Sequence, residues 1–347
     1  MPKVQTGGMT ILREKSPLPM ALVASIVTVE VQHEINLPAM FNFTMNMVSP
    51  SGNWQGANLD YFKPGDEITI KMGIERLQTL IVGEITAIEP RFGEYSTATI
   101  RGFDRMHRLQ FGTSTKVFEN LSDNDIVIQV ARSAGLSVNA QGSGTEINVY
   151  VQQRQQNNYQ FLLKRAAQIN HELLMDGTTL IFRPSGEGKS PVKTLTFPRD
   201  LDSIDLDLRI PTQGSSVTVH SFDPATNKPI SATSRSGSVQ ERMGGRENGY
   251  QMAGDFPDSA VSIEQLSITS VEALQVVADA QYQANLNRFI EGSASLVGDP
   301  DLVAGSNVKL SGLSQRFDGI YYIVSSTHTY GDTQGYATDV RLRRSGA

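Results

Sequence analysis

The chain has 347 residues, a formal net charge of −6, 39% hydrophobic and 19% charged residues, and no cysteine. This length and composition suit about two to three domains with real cores and exclude a disordered chain. The acidic balance argues against a protein that grips nucleic-acid phosphates through a basic face, and the lack of cysteine excludes disulfides, thiolate catalysis and Cys-type zinc or iron–sulfur centres.

The first twenty residues hold no apolar run of signal-peptide type. The longest apolar stretch, 21–31, is interrupted by Ser25, Thr28 and Glu30. It is far short of the roughly 20 residues a membrane helix needs, so no membrane insertion is expected. Residues 22–48 are patterned for strand: Val23, Val27, Val29 and Val31 share one parity, and Phe41 to Met47 alternates after Pro38. Residues 49–66 read as a loop, punctuated by Pro50, Gly52, Gly56, Pro64 and Gly65. Strand patterns then resume and end near Phe103.

Residues 104–204 predict helices amid short strands. Ser122 with Asp125 has capping-box spacing, Ile126, Val130 and Ala134 follow at helical spacing, and Gly135 stops the run. Asn157 with Gln160 repeats the device ahead of Leu162, Ala166 and Ile169, and Thr178 to Phe182 reads as a strand ending at Pro184. Residues 217–220 are strand-like. Residues 221–262 are poor in large apolar groups and carry Gly237, Gly244, Gly245 and Gly249, which predicts a long excursion outside any core. Thr269 with Glu272 predicts the cap of the longest helix, roughly 270–290, with a small face of Ala273, Val277, Ala280 and Ala284.

Two distant stretches read alike. The first is Pro64-Gly65-Asp66-Glu67-Ile68-Thr69-Ile70, then Ile81 to Ile88, then Tyr95 to Arg101. The second is Ala304-Gly305-Ser306-Asn307-Val308-Lys309-Leu310, then Gly319 to Val324, then Tyr336 to Arg341. Gly65 and Gly305 are 240 positions apart, and Tyr95 and Tyr336 are 241 apart. The likeness reads equally as a duplicated β-unit or as what any Gly-turn-strand runs share; a duplicated unit predicts a pseudo-twofold inside the subunit, and a trimer of such subunits would present a pseudo-sixfold ring.

Residues that carry chemistry are sparse. The five histidines, His33, His107, His171, His220 and His328, have no metal-ligand spacing. No nucleophile elbow, P-loop or dinucleotide fingerprint occurs. The densest charged group is Arg101, Asp104, Arg105 and Arg108 around Gly102. It reads either as an ion-pair network, between subunits or between a barrel and the middle domain, or as a solvated turn. Trp54, in a Gly-rich loop, reads equally as an interface anchor or as the cap of a barrel end.

The run Ile100-Arg101-Gly102-Phe103-Asp104-Arg105-Met106-His107-Arg108-Leu109 is followed by Val117-Phe118-Glu119-Asn120-Leu121-Ser122-Asp123-Asn124-Asp125-Ile126. Tyr150, Gln153, Arg154 and Asn157-Asn158-Tyr159-Gln160-Phe161-Leu162 come next, then Val217-Thr218-Val219-His220-Ser221-Phe222-Asp223-Pro224. Gly298-Asp299-Pro300-Asp301-Leu302, Asp318-Gly319-Ile320-Tyr321 and Gly335-Tyr336-Ala337-Thr338 complete the set. In order and spacing this resembles the phage late control gene D proteins and the N-terminal half of VgrG proteins, over about residues 20 to 343. The sequence departs from that pattern at Asn157-Asn158, where the family often has Thr-Asp, at Ser221-Phe222, where it often has Gly-Trp, and at Asn170, where Gly is usual.

The resemblance implies an α+β, mostly β fold: a tube-like β-barrel over 1–106, an α/β middle domain over 107–206, and a second barrel over 207–347 that carries the 221–262 excursion. It implies a homotrimeric baseplate hub of a contractile tail or injection machine, assembled in the bacterial cytoplasm, with no catalytic, cofactor or metal residues. Its partners would be a tail tube or tube-initiator protein, a spike and other baseplate proteins, with nucleic acid or protein cargo passing the channel without specific binding. For a chain that ends just past the second barrel, the spike would be a separate protein. A baseplate-borne cell-wall hydrolase and a β-rich module for glycans or host surface are the competing readings.

Overall fold

A computed structural model describes residues 7–48, 52–55, 57–142, 147–235, 242–266, 268–331 and 335–347. Pro50, Gly56 and Gly237, read above as loop residues, lie outside this set. The fold is mostly β, with large antiparallel sheets.

The N-terminal part contains β1 (Gly8–Arg13), β2 (Ser16–Pro17), α1 (Met20–Val23), β3 (Ile26–Glu34), β4 (Met40–Asn46), α2 (Ala57–Asp60), β5 (Glu67–Gly73), β6 (Gln78–Arg91) and β7 (Thr97–Asp104). Side chains on a strand alternate between faces, and here the buried inward sets of β3, β4 and β5 are apolar throughout. Ile11, Val29, Val31, Phe41, Phe43, Ile68, Ile70, Ile85 and Ile100 belong to one buried core. Strands far apart in the sheet share that core, so the sheet curls over it. Two expectations fail here. Val23 belongs to helix α1, and strand β1 pairs with β5 in a region where no strand was expected.

The middle part runs through a 3-10 turn (Arg105–Gln110), β8 (Ser114–Ser122), α3 (Asp123–Ser133), β9 (Ser137–Ala140), β10 (Ile147–Gln156), α4 (Asn158–Gln168), β11 (His171–Asp176) and β12 (Thr179–Pro184). Helix α3 starts where the sequence places it. The Asp125 N–H donates to Ser122 Oγ at 3.1 Å, and the Ser122 N–H donates back to the Asp125 carboxylate at 3.4 Å. The Gln160 N–H donates to the Asn157 side chain at 2.8 Å and starts α4. Caps of this kind contribute about 1 kcal/mol each. The two apolar stripes, with Ile126 and Val130 on α3 and Leu162 and Ala166 on α4, meet Leu173, Leu180 and Phe182 in a second core. Asn170 has φ 51, the left-handed conformation that glycine adopts without strain and asparagine tolerates. The glycine usual at this position in the resembling family therefore has a conformational counterpart here.

The C-terminal part holds β13 (Lys193–Thr196), β14 (Ser203–Leu208), β15 (Val217–Asp223), β16 (Lys228–Ser234), α5 (Gly249–Met252), β17 (Val261–Glu264), α6 (Val271–Leu286), β18 (Ile290–Val297), β19 (Asn307–Ser311), β20 (Gly319–Gly331) and β21 (Gly335–Arg344). The expectation that 221–262 lies outside any core is wrong. β16, β15 and β17 form a three-stranded sheet, and its Val217, Val219 and Ala232 pack against Leu274, Ala278, Tyr282 and Leu286 of α6. Helix α6 is also shorter than expected, and its cap is Ser270, whose Oγ accepts from the Ala273 N–H at 3.1 Å.

The duplicated unit is present in the topology. In chain order, β1, β3, β4, β5, β6 and β7 lie in the spatial order β3-β4-β7-β6-β5-β1, and β13, β14, β18, β19, β20 and β21 lie in the same order, β14-β18-β21-β20-β19-β13. Only the last step differs, antiparallel for β1 with β5 and parallel for β13 with β19. Atomic detail repeats too. The Gly65 N–H donates to the Ile85 carbonyl at 2.8 Å, and the Ile85 N–H to the Asp66 carbonyl at 3.0 Å. The Gly305 N–H donates to Ile323 and the Ile323 N–H to Ser306, both at 2.9 Å. The two glycines have φ 92 and φ 88. The ladder to the following strand slips between Ile85 and Ala87 in one unit and between Ile323 and Ser325 in the other, which places Arg101 and Arg341 at equivalent positions. That register equates Tyr336 with Ser96 rather than with Tyr95: Tyr336 and Ser96 are buried, whereas Tyr95 is 84% exposed.

β3 of the first unit pairs antiparallel with β20 of the second, from Ser325↔Glu34 to Gly331↔Thr28, so one sheet runs through both units. β3 corresponds to β14, and β20 to β6. The junction therefore joins non-equivalent strands. It is head-to-tail, which corrects the expected pseudo-twofold, because a twofold would pair a strand with its own equivalent.

Candidate assembly interface

The charged group flagged in the sequence sits where the first unit meets the middle part. Asp104 ends β7 and is buried. Its carboxyl accepts from the Ala39 N–H at 2.8 Å and from the Met106 N–H at 2.9 Å, which caps the 3-10 turn and ties it to the strand β4 approach. Burial pushes this carboxyl up to about 7, against the pull of those two backbone donors.

Arg105 and Arg108 leave the same turn and converge on Glu84 of β6. Arg108 donates to Glu84 through Nε at 3.0 Å and through a second guanidinium nitrogen. Arg105 approaches Glu84 at 3.3 Å and bonds Glu67 of β5 at 2.8 Å. The Glu84 partnership raises the Arg108 guanidinium above its ordinary range. Arg101 stands apart, with Glu89 at 3.3 Å on an exposed part of β6. Gly102 lies under the Phe41 ring: a Cβ there would stand 2.2 Å from the Glu84 carbonyl oxygen and 2.4 Å from Phe41 Cζ. The structure thus brings Arg105 and Arg108 together and leaves Arg101 outside their cluster.

A second, buried polar cluster escaped the sequence reading. Tyr322 of β20 donates its hydroxyl to Glu172 of β11, and Arg183 of β12 donates to Glu172 at 2.8 Å and to the Gly305 carbonyl at 2.6 Å. Nearby, Arg343 of β21 donates to Glu187 at 2.5 Å, and Asn287, just past α6, donates to it at 3.1 Å. Burial pushes the Glu172 carboxyl up, against Tyr322 and Arg183, which pull it down. The hydroxyl of Tyr322 is itself held well above its usual range by burial beside that carboxyl. Both carboxylates are fully partnered and enclosed, so the cluster fastens the middle part to the second unit. The partners lie up to 156 positions apart, a separation at which no local pattern reveals the pairing.

His33 and His328 meet edge to face where β3 and β20 pair, with centroids 5.9 Å apart. Burial lowers both, His328 to about 3, so both are neutral there at ordinary pH. His107, His171 and His220 lie elsewhere, and among the described residues no group of three or more metal-ligating side chains forms a metal site. No helix among them is long and apolar enough to cross a membrane. Trp54 is 52% exposed and packs on Phe92, which is 68% exposed, at the far end of β6, with centroids 5.8 Å apart.

Among the strand edges without a partner in the described residues, two belong to equivalents of the strands that form the junction. β14 ends the sheet path, and past Ile85 strand β6 pairs only with β7.

Comparison with solved structures finds the same fold. A 43 kDa tail protein of prophage MuSo2 from Shewanella oneidensis aligns with a TM-score of 0.72 at 14% identity, covering 98% of each chain. A tail protein from Neisseria meningitidis aligns at 0.71 and 11% identity, covering 98% of this chain and 97% of that one. An E. coli component of the type VI secretion system, described as structurally similar to T4 bacteriophage tail proteins gp27 and gp5, aligns at 0.60 and 11% identity, covering 96% and 76%. Comparison with curated protein sequences returns no match. A family model described as Alg8 N-terminal domain matches residues 4–332, and the chain belongs to that family.

Proposed function

We propose that the chain is a structural baseplate component of a contractile tail or injection machine, and within it the central hub. Three copies form a ring that joins a sixfold tail tube to a threefold spike and lines the channel between them. The observation that carries this reading is the strand order found twice in one chain and joined head-to-tail. In this reading each curled sheet serves as the tube-like barrel that the resemblance implies, and two such units in each of three chains give six similar surfaces. The likeness to tail proteins over nearly the whole chain supports the same reading.

The role is mechanical rather than catalytic. The buried carboxylates Glu172 and Glu187 are held by Tyr322, Arg183, Arg343 and Asn287, which suits a fixed joint. The net charge of −6 suits a channel that lets nucleic acid or protein cargo pass without gripping it. Light scattering tests the reading, on the chain alone and mixed with the spike protein. A mass of three chains of 37.9 kDa alone, or of three chains plus the bound spike in the mixture, is expected. A 37.9 kDa particle in both conditions overturns the hub assignment.

A further inference from the structure

The head-to-tail junction inside the subunit leaves its two complementary edges open at the ends of the molecule. β3 on β20 is one filled joint. The equivalent of β3 is β14 and the equivalent of β20 is β6, and among the described residues both carry an open edge. A heterologous contact of this kind repeats from copy to copy. We propose that β14 of one copy pairs antiparallel with the end of β6 (residues 87–91) and the residues that follow it to 93 in the next copy, in the register that β3 and β20 already use. The proposal rests on the ring reading above and adds to it a specific interface.

The register follows from the ladders. Ser325↔Glu34 through Gly331↔Thr28 is the filled joint. The shared bulge equates Ala87 with Ser325, and the pairings of β4 with β3 and of β18 with β14 equate Glu30 with Asp205. The new joint then sets Ile88 opposite Leu208, Pro90 opposite Leu206, Arg91 opposite Asp205 and Phe92 opposite Ile204.

The side chains fit that register. In the filled joint, the inward positions of β20 are Ser326 and His328, both fully enclosed, and Tyr330, packed on the core of the other unit. Their equivalents on the open edge are Ile88, Pro90 and Phe92, an apolar row that ends in a ring 68% exposed. On β14 the facing row is Ile204, Leu206 and Leu208, each only partly buried against the second-unit core. Two incomplete apolar rows would complete each other. On the outer face, Arg91 meets Asp205. Glu89 meets Asp207, and each of these carboxylates already has its own arginine, Arg101 and Arg209.

The backbone is also oriented for the joint. In the filled joint the Ile35 N–H donates to the Val324 carbonyl, which fixes the alternation of donors along β3 and β20. On β14 the Arg209 N–H donates to Phe289 on the β18 side, so the even-numbered residues Ile204, Leu206 and Leu208 face the open edge. Ile85 turns its N–H away from β7, and the bulge shifts the alternation by one, so Ile88 and Pro90 also face the open edge. Pro90 removes one donor there. That blunts the edge as an indiscriminate template for stray strands while leaving the apolar row intact.

Disulfide trapping tests this, because the chain has no cysteine of its own. Arg91 and Asp205 are exposed and would form a directly opposed pair not bonded to each other through the backbone, with Cα atoms about 4.5 Å apart. The Arg91→Cys/Asp205→Cys chain should be oxidised with the spike protein present and run under denaturing conditions. Covalent trimers are expected. Arg91→Cys/Asp207→Cys, a diagonal pair about 7–8 Å apart, is expected to give several-fold fewer. An open-ended ladder of covalent species would support the strand pairing and refute a closed ring of three. Trimers by mass with no covalent product from the opposed pair would overturn the proposed interface and leave the hub reading standing. Monomers in every condition would overturn both.

Discussion

Gly102→Ala is a sharp test of how the first unit is packed. The added Cβ would stand 2.2 Å from the Glu84 carbonyl oxygen and 2.4 Å from Phe41 Cζ, and Phe41 is fully buried. Real Cβ contacts fall no lower than about 3.0 Å, so β6 and β7 must part by close to 1 Å or the ring must leave its packed position. One of the two obstacles is backbone, which yields less readily than a side-chain tip. Overpacking of a filled core typically costs about 1–3 kcal/mol, and backbone obstruction puts this site at about 3 kcal/mol. With a urea slope of about 3 kcal/mol per molar, the unfolding midpoint should fall by about 1 M. Phe41→Leu in the same chain removes the ring contact but not the carbonyl contact. The double variant should therefore recover about 1 kcal/mol relative to additivity. A Gly102→Ala midpoint within about 0.2 M of the parent would refute the packing argument.

Three further outcomes follow from the geometry. Ser270→Ala should cost about 1 kcal/mol through loss of the α6 cap, whereas Thr269→Ala should stay within about 0.5 kcal/mol, both read from thermal melts. Glu84→Gln strips Arg105 and Arg108 of their shared carboxylate and should cost about 1–3 kcal/mol by urea titration, with little loss contradicting a structural role for the cluster. His328 is neutral in the fold down to about pH 3, while the unfolded chain takes up a proton near pH 6.5. Its stabilising contribution is therefore complete above about pH 6.5 and declines as pH falls from there towards 3. Against His328→Gln, the stability advantage of the parent should shrink by about 2 kcal/mol between pH 7 and pH 5. A pH-independent difference would show that the ring is not sequestered.

The elements legible in the sequence are those whose signals are local. Ser122 with Asp125 marks α3 because a cap and the N–H it satisfies lie within one turn. The Gly65 and Gly305 turns mark the duplication because each left-handed conformation is followed by a strand of fixed phase. The cap of α6 is displaced by one residue because Thr269 and Ser270 both carry hydroxyls, and it is the Ser270 side chain that accepts from the Ala273 N–H. The 221–262 region looked coreless because its few apolar groups, such as Ile230 and Ala232, find their partners on α6, further along the chain. The Glu172 and Glu187 clusters were invisible for the same reason in polar form. Of the flagged group, Arg105 and Arg108 were found together and Arg101 was not, since adjacency in sequence says nothing about which neighbouring strand supplies a carboxylate.

The most direct test of the central claim is the symmetry of the assembled particle, imaged down its axis by electron microscopy with the spike protein bound. Three chains carrying two equivalent units each should give six lobes of nearly equal density around one channel. Three unequal lobes, or a particle without a channel, would contradict the account.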